Sequence, residues 1–274
     1  MHLIGTWNIH GAVGWDRRRD PRRVAAVLQE MNADLIGLQE VDTRHRLDGT
    51  ACPLEAIAEE AGYHAVAGPT VYGHLGHYGN AVLSRRPPHE VRYIDLSVRG
   101  REPRGALDVD VELSDGSECR VVVTHLGLRV KERHDQIQRL LRALDDGRDL
   151  PLLLLGDMNE WRRTSRVLDV LDAHLGASPK VKTFPSLRPV VALDRIWARP
   201  HVGLRDVRIH ATPLARRASD HLPVLGRFHP YPHAVPEAPV AGRLVDLAMR
   251  ARPANEDVPL VAARGARVKT SVSD

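Results

Sequence analysis

The sequence predicts an α/β protein in which two β-sheets pack together with helices outside. Two observations carry that expectation. The run Leu152 to Leu155 is four consecutive leucines, which reads as a strand buried on both faces, because a half-exposed strand would alternate apolar with polar residues. Two strand-helix-strand patterns of similar length also deliver polar side chains at strand ends, from Asn8 to Glu40 and from His125 to Asp157.

The first pattern opens with a strand over Leu3 to Asn8. Asp20-Pro21 supplies an N-cap followed by proline at the first helical position, and Val24, Val27, Leu28 and Met31 mark one helix face. A strand over Asp34 to Leu38 then ends in Gln39-Glu40. A helix follows over Leu54 to Ala61, then a Gly/His loop over Tyr72 to Tyr78, then strands at Ala81 to Ser84, Val91 to Leu96 and Leu107 to Leu113. Asp115-Gly116 marks a hairpin. The second pattern runs from the strand Arg120 to Thr124, ending in His125, through a helix face of Ile137, Leu140, Leu141 and Leu144, to the tetraleucine strand and Asp157. Thr164-Ser165 caps a further helix carrying Leu168, Leu171 and Leu175. Strands are expected at Leu193 to Trp197, Val207 to His210 and Leu222 to Leu225. Beyond residue 229 six prolines fall between Pro230 and Pro259. Residues 1–229 are therefore expected to form the folded domain, and 230–274 an irregular Pro/Ala-rich tail with a helix near Gly242 to Ala251.

At 274 residues the chain is long enough for a substantial core. It contains no apolar run of the length a membrane span needs, and its first strand begins at Leu3 without a leader, so a cytoplasmic location is expected. Cys52 and Cys119 lack CxxC spacing, and neither a disulfide partner nor a thiolate metal site is expected. The net charge of +4 suits an anionic substrate but is mild. Lys131, Lys180, Lys182 and Lys269 are the only lysines, so arginine carries nearly all the positive charge.

Glu40, Asp157, Asp194 and Asp220, with Asn8 and Asn159, form an oxygen-rich set without thiolates. Hard oxygen donors select Mg²⁺, with Mn²⁺ an alternative. Gly156 permits close backbone approach before Asp157, and Asp157 and Asn159 point to one side if the chain stays extended; the same residue types are also common in turns. His125 and His221 are left for proton and phosphate chemistry, with Asp194 a candidate to orient His221. His74 and His77 are candidates for a substrate rim, and the remaining histidines read as solvated or core residues.

The segments TWNIHG, LQEVD, GNAVLSR, THLG, GDMNE, LDRIW and SDHLPV occur in the order found in the endonuclease/exonuclease/phosphatase superfamily, which the chain resembles over roughly residues 3 to 228. That group includes DNase I, exonuclease III-type apurinic endonucleases, inositol polyphosphate 5-phosphatases and neutral sphingomyelinases. The resemblance implies a four-layer α/β/β/α sandwich with two central mixed sheets and a site at one rim. It implies Glu40 as principal Mg²⁺ ligand with Asn8 and Asp220 beside it, and Asp157 and Asn159 positioning the attacking water. It also implies that His221, paired with Asp194, and His125 act on the phosphate. Asn80 is expected to orient His125, and Arg101 or Arg104 to touch substrate. The chain departs from the GDLNYR-type segment of the inositol phosphatases and lacks the lipid-binding segment of the sphingomyelinases. In wording and length it is most similar to small bacterial hydrolases of the group.

The function expected is Mg²⁺-dependent hydrolysis of a phosphodiester by in-line attack of water. Nucleic acid is the leading substrate class and a phospholipid or other small phosphoester the alternative. A non-catalytic binding protein on the same fold is the third reading. For a nucleic acid, Arg17 to Arg19, Arg22-Arg23, Arg85-Arg86, Arg162-Arg163 and Arg216-Arg217 would supply a cationic face, while an aromatic content of 4% weakens a single-strand reading.

Overall fold

The first strand, β1 (His2–Asn8), pairs in parallel with β2 (Leu35–Asp42), and α1 (Pro21–Met31) crosses between them. In this computed structural model, which describes residues 1–45, 53–162 and 164–231, the crossover starts as its sequence predicts. The Asp20 carboxylate accepts from the Arg23 backbone N–H, Pro21 occupies the first turn, and Asn32 closes the helix in the left-handed conformation. Val24, Val27, Leu28 and Met31 are buried.

The chain continues through α2 (Pro53–Ala61), β3 (His64–Gly73), β4 (Gly76–Ser84), β5 (Pro88–Asp95) and β6 (Gly105–Glu112) to β7 (Glu118–His125). The second crossover, α3 (Val130–Leu144), leads to β8 (Leu152–Asp157), which pairs in parallel with β7. Then come α4 (Arg166–Leu175), β9 (Asp194–Arg199), β10 (Leu204–Ile209), α5 (Pro213–Ala218) and β11 (Val224–Phe228). The strands form a six-stranded sheet ordered β10-β11-β1-β2-β4-β3 and a five-stranded sheet ordered β5-β6-β7-β8-β9.

Three apolar clusters define four layers. One lies between the first sheet and α1, α2 and α5, and is built on residues such as Trp7, Leu28, Ile36 and Leu38. A second, with Ile4, Leu35, Val121, Leu153 and Leu155, lies between the two sheets. The third packs Val122, Leu152, Leu154 and Trp197 against α3 and α4. Alternate leucines of β8 therefore serve opposite faces, Leu153 and Leu155 inward and Leu152 and Leu154 toward the helices. That is why the tetraleucine run is apolar throughout. The expected α/β/β/α sandwich is the fold observed.

Three local differences have physical causes. The segment expected as a loop at Tyr72 to Tyr78 is the tip of the β3/β4 hairpin, whose register runs through Tyr72 opposite His77 to Gly73 opposite Gly76. Its glycines allow close approach where side chains would clash; a Cβ on Gly79 would lie 2.2 Å from the Gly68 carbonyl oxygen. β3 itself has no alternating pattern to announce it, since HAVAGPTVYG is an edge strand carrying Pro69. α5 is one and a half turns long, too short to show a period. The helix expected near 242–251 lies outside the described residues, as does the tail beyond residue 231. Of the two cysteines, Cys119 is buried and free, and no described helix is long and apolar enough to cross a membrane.

Candidate active site

The parallel pairs β1/β2 and β7/β8 both run toward the same rim, and their last residues are polar. In register, His125 lies opposite Asp157, and Asp157 lies opposite Asp194 on β9. Asn8 ends β1 opposite Gln39, and Glu40 follows one residue on. Glu40 sits in a bulge where the β2/β4 register shifts, with φ of +57°. Such a bulge re-aims a side chain at a strand end, and here it turns the Glu40 carboxylate toward Asn8, whose amide lies 2.8 Å away.

Asp157 is the meeting point of the two sheets. One of its oxygens, Oδ2, accepts from Asn8 Nδ2 at 3.0 Å and lies 3.6 Å from His125 Nε2 and 3.7 Å from His221 Nε2. Its other oxygen accepts from the Asn159 backbone N–H at 2.8 Å. Asn159 does not continue an extended strand; it reaches the site with φ of +49°. The turn still delivers its amide nitrogen 2.9 Å from His125 Nε2 and 2.8 Å from the Leu126 carbonyl oxygen.

His221 Nδ1 is 2.8 Å from Asp194 Oδ2, deep in the protein. Burial opposes the imidazolium, but the Asp194, Asp157 and Asp220 carboxylates outweigh it and hold the group up at about 10. His125 has the opposite fate. Burial, the Arg104 guanidinium and the charge on His221 push it down to about 3 against the pull of Asp157. The rim thus holds one cationic and one neutral imidazole. The turn bearing His221 is fixed by Ser219, whose hydroxyl donates to the Asn8 carbonyl at 2.7 Å and accepts from the His221 N–H at 3.2 Å. Trp7 Nε1 donates to the His221 carbonyl, and the Phe184 ring packs 5.0 Å from the imidazole.

A divalent cation fits the carboxylate side of this rim. Burial raises the Glu40 carboxyl, as do the charges of Asp157 and Asp220, and an amide hydrogen bond from Asn8 only partly offsets them. His10 Nδ1 lies 3.7 Å from Asp220 Oδ1. Crowded hard-oxygen donors without a full countercharge are what Mg²⁺ or Mn²⁺ complements. Asp157, Asp194 and His221 also present ligand atoms within 4.8 Å of one another. Within that trio His221 Nδ1 is bonded to Asp194 Oδ2 at 2.8 Å, while its Nε2 faces Asp157 Oδ2 at 3.7 Å.

Arg104, Arg101 and Asn80 fare differently. Arg104 is buried, and its NH1 group lies 3.2 Å from His125 Nδ1. Arg101 is exposed in the loop after β5, and among the described residues it makes no hydrogen bond to a site side chain. The expected contact between Asn80 and His125 is not formed. Asn80 donates to the Gly105 carbonyl at 3.1 Å, while Arg104 and Asn159 face the two ring nitrogens of His125. The sequence places His10 among the solvated or core histidines and Tyr78 at the end of a Gly/His loop, yet both lie within electrostatic reach of Glu40. The Tyr78 phenol is pushed well above its ordinary range by burial and by Glu40, against the Arg104 charge; its position inside a Gly/His segment read as a loop hid it.

The expected cationic face is only partly assembled. Arg85 follows β4 at the end opposite Glu40, where it bonds to the Ala61 and Gly62 carbonyls and stacks on Tyr63. Arg23 is tied to Asp16 and to the Arg217 carbonyl, and Arg216 to the Ser186 and Leu187 carbonyls. These arginines first serve the structure.

A two-sheet sandwich with carboxylates, an amide-bridged aspartate and a charged His-Asp pair on one rim defines the class of phosphoester hydrolases. Residues 5–221 match the model of the Endonuclease/Exonuclease/phosphatase family, and the chain belongs to that family. Its members are hydrolases acting on phosphoesters with the help of divalent metal. The chain is 31% identical over 245 residues to the uncharacterized protein YbhP of Escherichia coli K12, covering 82% of this chain and 94% of that one. It is 28% identical over 165 residues to exodeoxyribonuclease III of Haemophilus influenzae, covering 56% of each. Among solved structures, an endonuclease/exonuclease/phosphatase from Beutenbergia cavernae superposes with a TM-score of 0.64 at 25% identity, over 83% of this chain and 71% of that one.

Proposed function

We propose that the protein is a Mg²⁺-dependent phosphodiesterase that attacks phosphorus in line with water, and that nucleic acid is its substrate class. The observation that carries this reading is the convergence on Asp157 Oδ2 of Asn8 and both imidazoles, with Glu40 bonded to the same Asn8 amide. Glu40, Asp220 and Asn8 would hold the metal, which when bound supplies charge stabilisation to the phosphoryl oxygens. Asp157 orients the attacking water and takes its proton. Asn159 presents its amide to a phosphoryl oxygen. The imidazolium of His221, held charged by Asp194, faces the negative charge that develops at phosphorus. His125, neutral beside it, donates a hydrogen bond without adding a second cation. Nucleic acid is favoured by the match to exodeoxyribonuclease III.

A second reading is hydrolysis of a small phosphoester. It is favoured by the dispersal of the cationic face, with Arg85 and Arg86 at the far end of β4, and by the likeness in fold to a mannosyl-6-phosphatase of Bacteroides thetaiotaomicron, of TM-score 0.64 at 19% identity. Purified protein assayed with Mg²⁺ or Mn²⁺ on a generic diester, plasmid DNA, abasic DNA, RNA and phospholipid separates the readings. Metal-dependent cleavage of the diester and of a nucleic acid is expected, with Asp157→Ala slowed by about 10² to 10⁴. Turnover of phospholipid alone would replace the first reading with the second, and equal turnover by Asp157→Ala would refute the mechanism.

A further inference from the structure

His125 is caught between two hydrogen-bond donors. Arg104 NH1 lies 3.2 Å from Nδ1, and the Asn159 amide nitrogen lies 2.9 Å from Nε2. Neither donor is free to turn. Arginine has no acceptor atom, and the Arg104 group is also tied to Glu102, 3.2 Å away. The Asn159 amide nitrogen donates to the Leu126 carbonyl at 2.8 Å, so exchanging its oxygen and nitrogen would set two oxygens against each other. A neutral imidazole carries one proton and accepts at one nitrogen only. One of the two contacts must therefore be donor against donor, whichever tautomer the ring adopts.

The two donors are unequal. Arg104 is a permanent cation with only 7% of its surface exposed, and its Nε atom is buried without a hydrogen-bond partner. Its bond to a ring nitrogen is charge-assisted, in a setting where such bonds are about twice as strong as neutral ones. The segment that bears it is well anchored: the Leu96 N–H and the Ser97 hydroxyl both reach the Arg104 carbonyl, and Asn80 and Thr124 both donate to the carbonyl of the next residue, Gly105. The Asn159 contact is the weaker, neutral one, beside Asp157 Oδ2 at 3.6 Å from the same Nε2.

We infer that Arg104 is a positioning residue that fixes the tautomer of His125, holding Nδ1 as acceptor so that the proton sits on Nε2 and points at the Asp157 side of the rim. The Nε2–H is then aimed at the place where a phosphoryl oxygen would arrive, a statement that rests on the proposed function; the tautomer itself does not. It also assigns a purpose to the donor conflict. The Asn159 amide and the His125 Nε2–H oppose each other in the free protein, and one anionic oxygen placed between them accepts from both. A phosphoryl oxygen would relieve the mismatch, so binding energy is drawn from a contact that is unfavourable without substrate.

The tautomer is read by long-range ¹H–¹⁵N correlation spectra of full-length protein carrying ¹⁵N-histidine, with His125 assigned through His125→Asn. At neutral pH the unaltered protein is expected to show a non-protonated Nδ1 and a protonated Nε2 at this ring. In Arg104→Met, which keeps the bulk and removes the donors, the ring is expected to reverse to Nδ1–H with Nε2 accepting from Asn159. Its kcat on a generic diester should fall by about 10- to 100-fold while KM changes less than about threefold. A protonated Nδ1 in the unaltered protein would overturn the inference without any substitution, assay or metal. So would a folded Arg104→Met whose His125 keeps the Nε2 proton, since a merely structural arginine leaves the ring as it was. Because the spectra need no turnover, absence of phosphodiesterase activity would refute the proposed function and leave the tautomer question separately answered.

Discussion

At the scale of single residues, the histidines of the rim make opposite demands on pH. His221 stays charged to about 10 in the folded protein, whereas an unfolded chain releases that proton near 6.5. The folded state therefore binds more protons between those values, and stability is lost as pH rises through the window. His125 is neutral down to about 3 although the unfolded chain takes up its proton near 6.5. Here the unfolded state binds more protons, and stability is lost as pH falls below 6.5. Urea denaturation across pH is expected to show both limbs, with Asp194→Asn flattening the alkaline one and His125→Asn the acid one. In turnover, the alkaline fall should move from near 10 toward the ordinary histidine range in Asp194→Asn, because the carboxylate whose attraction keeps His221 charged is gone. An unmoved alkaline limb would show that another group governs it.

At the scale of elements, the site depends on close strand contact at the end of β8. Gly156 has φ of +155°, and a Cβ there would lie 1.9 Å from the Thr124 carbonyl oxygen on β7. Backbone cannot give way as a flexible side chain can. Gly156→Ala is expected to cost about 3 kcal/mol or more in chemical denaturation, and to weaken activity by displacing Asp157. Behind the same strand end, α3 is locked to the loop after Asp157 by a buried ion pair. Arg133 NH2 lies 3.0 Å from Glu160 Oε2, both side chains are inaccessible, and Ser165 adds a bond to the same oxygen. Arg133→Met leaves the Glu160 charge uncompensated and is expected to destabilise the protein by about 3 to 5 kcal/mol. The double variant Arg133→Met with Glu160→Gln should recover part of that loss; no recovery would mean that packing of Arg133 beneath Trp161, rather than charge, holds the loop.

At the scale of the whole molecule, the rim exists because both sheets end their parallel pairs on the same side. That much was legible in the sequence. The buried runs in β1, β2, β7 and β8, the Asp20-Pro21 cap and the equal spacing of Asn8 to Glu40 and His125 to Asp157 all follow from local pattern. Hence the two crossovers and the residues at their ends could be named in advance. What was hidden depends on contacts distant in sequence. The bulge that turns Glu40, the left-handed step at Asn159 and the burial of Arg104 against His125 have no periodic signature. Asn80 was assigned to the wrong partner because nothing local reveals that the Gly105 carbonyl lies within its reach. β3 and the hairpin tip have no strand signature because Gly and Pro, which read as loop residues, are there for the close approach of the β3 and β4 backbones.

The proposed division of the rim gives the metal to Glu40, Asn8 and Asp220, and water and phosphate to Asp157, Asn159, His221 and His125. Mn²⁺ binding, followed by calorimetry on the unaltered protein, Glu40→Gln and His221→Gln, tests it directly. Affinity is expected to be about 10- to 100-fold weaker in Glu40→Gln and within about twofold of the unaltered protein in His221→Gln, although both variants lose turnover. Weakened binding in His221→Gln with unchanged binding in Glu40→Gln would instead place the metal on the Asp157, Asp194 and His221 trio and refute this division.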